Sequence, residues 1–139
     1  MSDADIQERL RSVPLFSGLT AKQLRRIAGA GKRVELPEGR VVAREDQMGE
    51  GFHVILEGSV SISVHGEDKG SLGPGKFFGE MSLIDGKPRS ATVTVMEPTT
   101  TFALTSWEFH PLLDDPDIAK GLLAELADRI RASERSATL

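Results

Sequence analysis

The residues best suited to chemistry lie in one stretch, "FGEMSLIDGKPRSATV", Phe78 to Val93. It carries a carboxylate, Glu80, directly after Gly79, and a guanidinium, Arg89, between Pro88 and Ser90. A glycine ahead of a short helix lets backbone come close to a ligand, and the free N–H groups of the first turn favour an anion. Gly79 followed by "EMSL" fits that arrangement, with the amides around Met81 and Ser82 turned outward. A carboxylate in such a place would repel a phosphate, so Glu80 suits a neutral donor such as a sugar hydroxyl. Arg89 makes the opposite demand. Carried back at period two from Val95 through Val93 and Ala91, it falls on the inward face of a strand. A guanidinium there needs an anion, because an unpaired buried charge costs several kcal/mol. Phosphate matches its planar fork, and the Ser90 hydroxyl stands beside it. From spacing alone an internal Glu80–Arg89 ion pair, with no ligand, accounts for both charges slightly better, since charged pairs in turns are common.

The elements that must position these residues follow from periodicity. In "ADIQERLRSVPLF" the apolar Ile6, Leu10 and Val13 recur at helical spacing until Pro14. Thr20 with Gln23 forms a capping box that opens "AKQLRRIAGAG". From Lys32 the period becomes strand-like, in short runs broken by Pro37-Glu38-Gly39, Gly49-Glu50-Gly51, Glu57-Gly58, Gly66 and Gly73-Pro74-Gly75. In "SVSISVH" the residues Val60, Ile62 and Val64 share one face and the serines the other. Strand patterning runs on through "SATVTV" and "TTTFAL" to Leu104, and such closely spaced antiparallel strands make a barrel, roll or sandwich. Ser106 is placed to cap "WEFHPLL", with Trp107 and Phe109 anchoring it in the core, and Asp115-Pro116-Asp117 opens a last helix. There Ile118, Leu122, Leu126 and Ile130 recur every fourth position.

Composition bounds the reading. The chain has 139 residues, 39% hydrophobic and 27% charged, which suits one folded domain. A net charge of −4 argues against a nucleic-acid partner, and no apolar run is long enough to cross a membrane. The start "MSDADIQERL" is unlike a signal peptide, and the lack of cysteine fits a cytoplasmic setting. His53, His65 and His110 are too scattered for a metal site, and no G-x-S-x-G elbow is present, so no metal, cofactor or catalytic residue is expected.

The Phe78–Val93 stretch resembles the phosphate-binding cassette of the cyclic nucleotide-binding domain family. The likeness extends to "VPLFSGLTAKQLRRIA", similar to that family's entry helices, to "GEGFHVILEGSVSI", similar to its central hairpin, and to the amphipathic C-terminal stretch, similar to its lid helix. The resemblance implies an α+β, mainly β fold: an antiparallel β-roll or jelly-roll barrel flanked by N-terminal helices and a C-terminal lid helix. It implies a single domain over residues 1–139, with entry helices in 1–31, the roll in 32–105, the cassette in 78–93 and C-terminal helices in 106–136. It further implies that Arg89 pairs with a cyclic phosphate and Glu80 with the ribose 2′-hydroxyl. Gly79, Met81 and Ser82 lend backbone amides, and Ser90 bonds the phosphate or the base edge. Cyclic AMP is favoured as ligand, with cyclic GMP left open by Ser90. Leu126 and Ile130 are candidates to cover the base, as is Leu122, and Arg129 or Arg131 to stack on it. Two departures lie outside the cassette: Asp46 stands where the family usually has Gly, and His53 where Tyr is common. The implied role is a non-enzymatic receptor that signals by moving its C-terminal helix to a protein effector or through self-association. The other reading is a protein-interaction module whose pocket is unused.

Overall fold

The computed structural model describes residues 3–48 and 51–137; the expected turn at Gly49-Glu50 lies outside them. Helix α1 (Asp3–Arg11) buries Ile6 and Leu10, one turn apart, and a 3-10 turn at Pro14–Phe16 buries Leu15 and Phe16. Helix α2 (Ala21–Ala30) begins at the expected capping box. The Gln23 amide donates to Thr20 Oγ1 at 3.2 Å, and the Thr20 amide donates to Gln23 Oε1 at 2.8 Å. The other end of the Gln23 side chain donates to Asp115 and Asp117, each at 3.0 Å, and so ties this cap to the start of the last helix.

Eight strands follow among the described residues: β1 (Lys32–Leu36), β2 (Val41–Ala43), β3 (Gly51–Glu57), β4 (Val60–Val64), β5 (Glu67–Leu72), β6 (Phe77–Phe78), β7 (Thr92–Val95) and β8 (Thr99–Thr105). They form two four-stranded sheets, ordered β1-β8-β3-β6 and β2-β7-β4-β5, with every pairing antiparallel. The first strand pairs with the last and the second with the seventh, the nested order of a β-roll. Between β6 and β7 runs a six-residue helix, α3 (Glu80–Asp85).

Alternation along β3 divides the interior in two. Phe52, Val54 and Leu56 face the helices, where they join Leu10, Leu24, Ile27, Phe77 and Phe102. Ile55 points the other way, into the roll, against Val60, Phe78, Val93 and Val95.

Helix α4 (Ser106–Leu112) is capped by Thr105, one residue before the expected Ser106, because Glu108 then reaches back to the Thr105 amide at 2.9 Å and completes a capping box. Phe109 is buried with its ring 4.9 Å from that of Phe52. Trp107 does not anchor the core: two positions earlier on the helix, it points outward and is 87% exposed. Helix α5 (Pro116–Ala137) buries Ile118 and Leu122 against the 3-10 turn and α4. Gly121 lies so close to the Leu15 carbonyl oxygen that a Cβ would collide with it.

Candidate functional site

Strand β6 delivers the cassette. It pairs with β3 only through His53↔Phe78 and Val54↔Phe77, and the chain then turns at Gly79 with φ +96°. That left-handed conformation favours glycine, and the surroundings demand it as well. A Cβ at Gly79 would strike the Gly51 carbonyl oxygen and lie 2.7 Å from Arg89 Nη1.

Helix α3 opens with Glu80, which is only 4% exposed. Burial pushes its carboxyl pKa up, opposed by a backbone hydrogen bond and by the positive charges of Arg129 and Arg89. Its ion-pair partner is Arg129 of α5, whose Nη1 donates to Glu80 Oε1 at 3.2 Å. The same guanidinium donates through Nη2 to the Phe77 carbonyl oxygen at 2.6 Å and lies 4.0 Å above the Phe77 ring. One lid-helix side chain thus closes over the cassette through a charge pair, a hydrogen bond and a ring contact.

Arg89 lies outside β7, which begins at Thr92, yet its backbone is held like a strand residue. Its amide donates to the Gln47 carbonyl at 2.8 Å and its carbonyl accepts from the Asp46 amide at 2.8 Å. Asp46 has φ +64°, a left-handed conformation that favours glycine, and this chain holds the turn with an aspartate. The inward direction read from the strand period is therefore realised: Arg89 is 8% exposed. Its Nη2 donates to the Gly51 carbonyl oxygen at 2.7 Å, while Nε and Nη1 are buried without a hydrogen-bond partner among the described residues. Burial lowers its pKa, and the charge of Glu80 opposes that. No Glu80–Arg89 ion pair forms among the described residues: the carboxylate pairs with Arg129 instead.

The structure gathers Gly79, Glu80, Met81, Arg89, Ser90 and Arg129 around one cavity of about 280 Å³. Its apolar wall is Ile62, Leu72 and Phe78, which sequence reasoning did not single out; the inward face of "SVSISVH" was the signal for Ile62. Ser82 belongs to α3. The other lid candidates do not reach the cavity. Leu122 and Leu126 pack against the helical core, while Ile130, 60% exposed, and Arg131 face outward, because the turn of α5 that presents Arg129 turns them away. Arg89, with two unpartnered N–H groups buried among the described residues, lines one side of the cavity, Glu80 with its carboxylate another, and the apolar Ile62, Leu72 and Phe78 a third. That combination suits an anion joined to a hydroxyl-bearing ring and an apolar ring.

His53 packs against Phe78, a residue of the cavity wall. Its ring stacks on Phe78 with centroids 4.9 Å apart and planes 8° from parallel, and Nδ1 lies 2.9 Å from Thr101 Oγ1. Burial, and then the Arg89 charge, lower its pKa to about 4. The imidazole is therefore neutral at pH 7 and adds no repulsion to Arg89.

Among the described residues no group of acids and histidines is placed to hold a metal, and no helix is long and apolar enough to cross a membrane. Comparison with known proteins is concordant with this geometry. The sequence profile described as "Cyclic nucleotide-binding domain" matches residues 33–115. A cyclic nucleotide-gated potassium channel of Mesorhizobium japonicum is 39% identical over 110 residues, covering 78% of this chain and 30% of the channel. The cyclic AMP receptor protein of Thermus thermophilus is 30% identical over 131 residues, covering 90% of this chain and 61% of that protein. The crystal structure of the Thermus thermophilus catabolite activator protein superposes with a TM-score of 0.79 at 30% identity, covering 89% of this chain and 61% of the other. The chain thus spans under two thirds of the length of each of these relatives.

Proposed function

Because the chain belongs to the cyclic nucleotide-binding domain family, we propose that it is a cyclic nucleotide receptor that binds its ligand in the Glu80–Arg89 cavity and signals through α5. The observation that carries this reading is the Arg89 guanidinium, buried at the cavity wall with Nε and Nη1 unpartnered among the described residues. A buried charge in that condition is costly, and a cyclic phosphate relieves the cost with paired hydrogen bonds. Glu80 accepts from the ribose 2′-hydroxyl, the amides of Gly79, Met81 and Ser82 line the phosphate, and Ser90 donates to the phosphate or meets the base. Ile62 and Leu72 receive the purine.

The lid mechanism rests on Arg129. Glu80 is its partner without ligand, and a ribose hydroxyl arriving at Glu80 changes what holds α5 to the cassette. A ligand moves the helix only by its difference in affinity for the two helix positions. The reading extends to a single domain over residues 1–139, non-catalytic and cytoplasmic, whose output passes to a protein effector or a second copy. Cyclic AMP is the favoured ligand. Titration calorimetry with cyclic AMP and cyclic GMP, on this protein and on Arg89→Ala, tests it. Binding of cyclic AMP that vanishes in Arg89→Ala supports the assignment; no heat from either nucleotide at millimolar concentration, with the protein folded, overturns it.

A further inference from the structure

The chain keeps its sulfur at the surface. It has four methionines and no cysteine, so the thioether is its one oxidisable sulfur group. Methionine ordinarily fills gaps in a core. Here Met48, Met81 and Met96, the three described, are each half exposed or more. Met81 differs from the other two in where it sits. It follows the buried Glu80 in the first turn of α3 and lines the cassette cavity together with Arg89, Ser90 and Arg129, whereas Met48 and Met96 are not part of that lining.

An exposed thioether takes one oxygen atom from a hydroperoxide. The sulfur lone pair attacks the peroxide, and an S–O bond forms as the O–O bond breaks. With hydrogen peroxide, the leaving hydroxide collects the proton of the transferred hydroxyl and departs as water. Sulfur loses two electrons and the peroxide gains them. The product is polar and chiral where the thioether was flexible and apolar. At Met81 that change falls in the wall of the cavity. It adds an acceptor oxygen to a lining that already holds two guanidinium groups, Arg89 with two N–H groups unpartnered among the described residues and Arg129 paired with Glu80. A tethered acceptor competes there with the anion of a ligand, at a local concentration in about the millimolar range. We propose that Met81 is an oxidation site, where a hydroperoxide converts the thioether to the sulfoxide and weakens ligand binding in the Glu80–Arg89 cavity. Its effect rests on the reading of that cavity as a ligand site.

Hydrogen peroxide is the oxidant and cyclic AMP the ligand probe. Peptide mass mapping reads the oxidised fraction at Met48, Met81 and Met96, and titration calorimetry reads the affinity before and after treatment, each protein being compared with itself. The dissociation constant of the parent rises by about tenfold or more once Met81 carries one oxygen. The Met48→Leu/Met96→Leu variant, which keeps Met1 and Met81, shows the same rise, and Met81→Leu shows none. All three positions are exposed, so the variants keep the fold, which circular dichroism verifies. Methionine sulfoxide reductases of both stereospecificities return the treated parent to its starting affinity. Saturating cyclic AMP slows oxidation at Met81 and leaves Met48 and Met96 unprotected. The proposal is overturned by unaltered affinity with Met81 oxidised, by an equal rise in Met81→Leu, by a loss that the reductases do not reverse, or by oxidation at Met81 that cyclic AMP does not slow. No binding by the untreated parent sinks the ligand site itself, and the oxidation site's effect with it.

Discussion

Arg89 is a charge held in reserve, and its energetics distinguish a ligand site from a structural one. Only Nη2 is hydrogen-bonded among the described residues, to a neutral carbonyl, so the rest of the guanidinium loses hydration with the charge of Glu80 opposing that cost only in part. Arg89→Met keeps the volume and removes the charge. We expect its thermal unfolding without ligand within about 1 kcal/mol of the parent or above it. The parent gains about 2.7 kcal/mol when cyclic AMP is present at a hundred times its dissociation constant, and the variant gains nothing. A variant that melts far below the parent without ligand would instead make Arg89 a structural residue. His53 gives a pH signature of its own. Its pKa falls from the ordinary 6.5 to about 4 on folding, so between those values the unfolded chain holds a proton that the native protein does not. Stability is full above pH 6.5 and declines as the pH drops towards 4, by at most about 1.4 kcal/mol per pH unit from this group. Urea unfolding at pH 7 and pH 5 should show a smaller loss in His53→Tyr than in the parent; equal losses would exclude His53 as the source.

At the scale of elements, α5 is held in two ways. Its first half is anchored by Ile118 and Leu122 in the helical core, by the close pass of Gly121 at Leu15, and by the link from Gln23 to Asp115 and Asp117. Its second half leaves the core, and Arg129 fastens it to Glu80 and Phe77. Arg129→Ala removes that fastening and strands a buried carboxylate, which costs on the order of 1–3 kcal/mol. Hydrogen exchange should then speed up at residues 126–135 and stay slow at 117–123; uniform acceleration along the helix would show that the two halves open together. Much of this was readable beforehand. The Thr20–Gln23 box and the Asp115-Pro116 start are local chemistry, decided by residues within one turn of each other. The face presented by α5 beyond Leu122 was not, because a four-residue apolar spacing continues to Ile130 although that residue is left exposed and Arg129 beside it is the one turned to the roll. Trp107 misled for the same reason: an aromatic residue announces burial, and only the docking of α4 shows which side is covered.

For the whole molecule the proposed signal is a change in how α5 sits on the roll. The cavity is lined by the cassette on one side and by Arg129 on the other, so a ligand bound there is expected to alter the opening of the helix as well as of the site. Saturating cyclic AMP is expected to slow hydrogen exchange across residues 116–134 in the parent and not in Arg89→Ala. Unchanged protection in the parent, with binding established calorimetrically, would refute helix capture while leaving the ligand site intact.

Periodicity along the chain determined a run of short antiparallel strands between helices, to be closed as a barrel, roll or sandwich; the resemblance narrowed this to a β-roll, and the Phe78–Val93 stretch determined where an anion and a hydroxyl would be sought. Periodicity also placed Arg89 inward, since side-chain direction in an extended chain depends only on position parity. The partners were beyond its reach. Glu80 and Arg129 are 49 positions apart, and Arg89 and Gly51 38 positions apart, brought together by sheet order and helix docking rather than by local spacing. Whether Glu80 would satisfy Arg89 or leave it free was therefore decided by the tertiary structure, because Arg129 of α5 comes within hydrogen-bonding reach of the carboxylate.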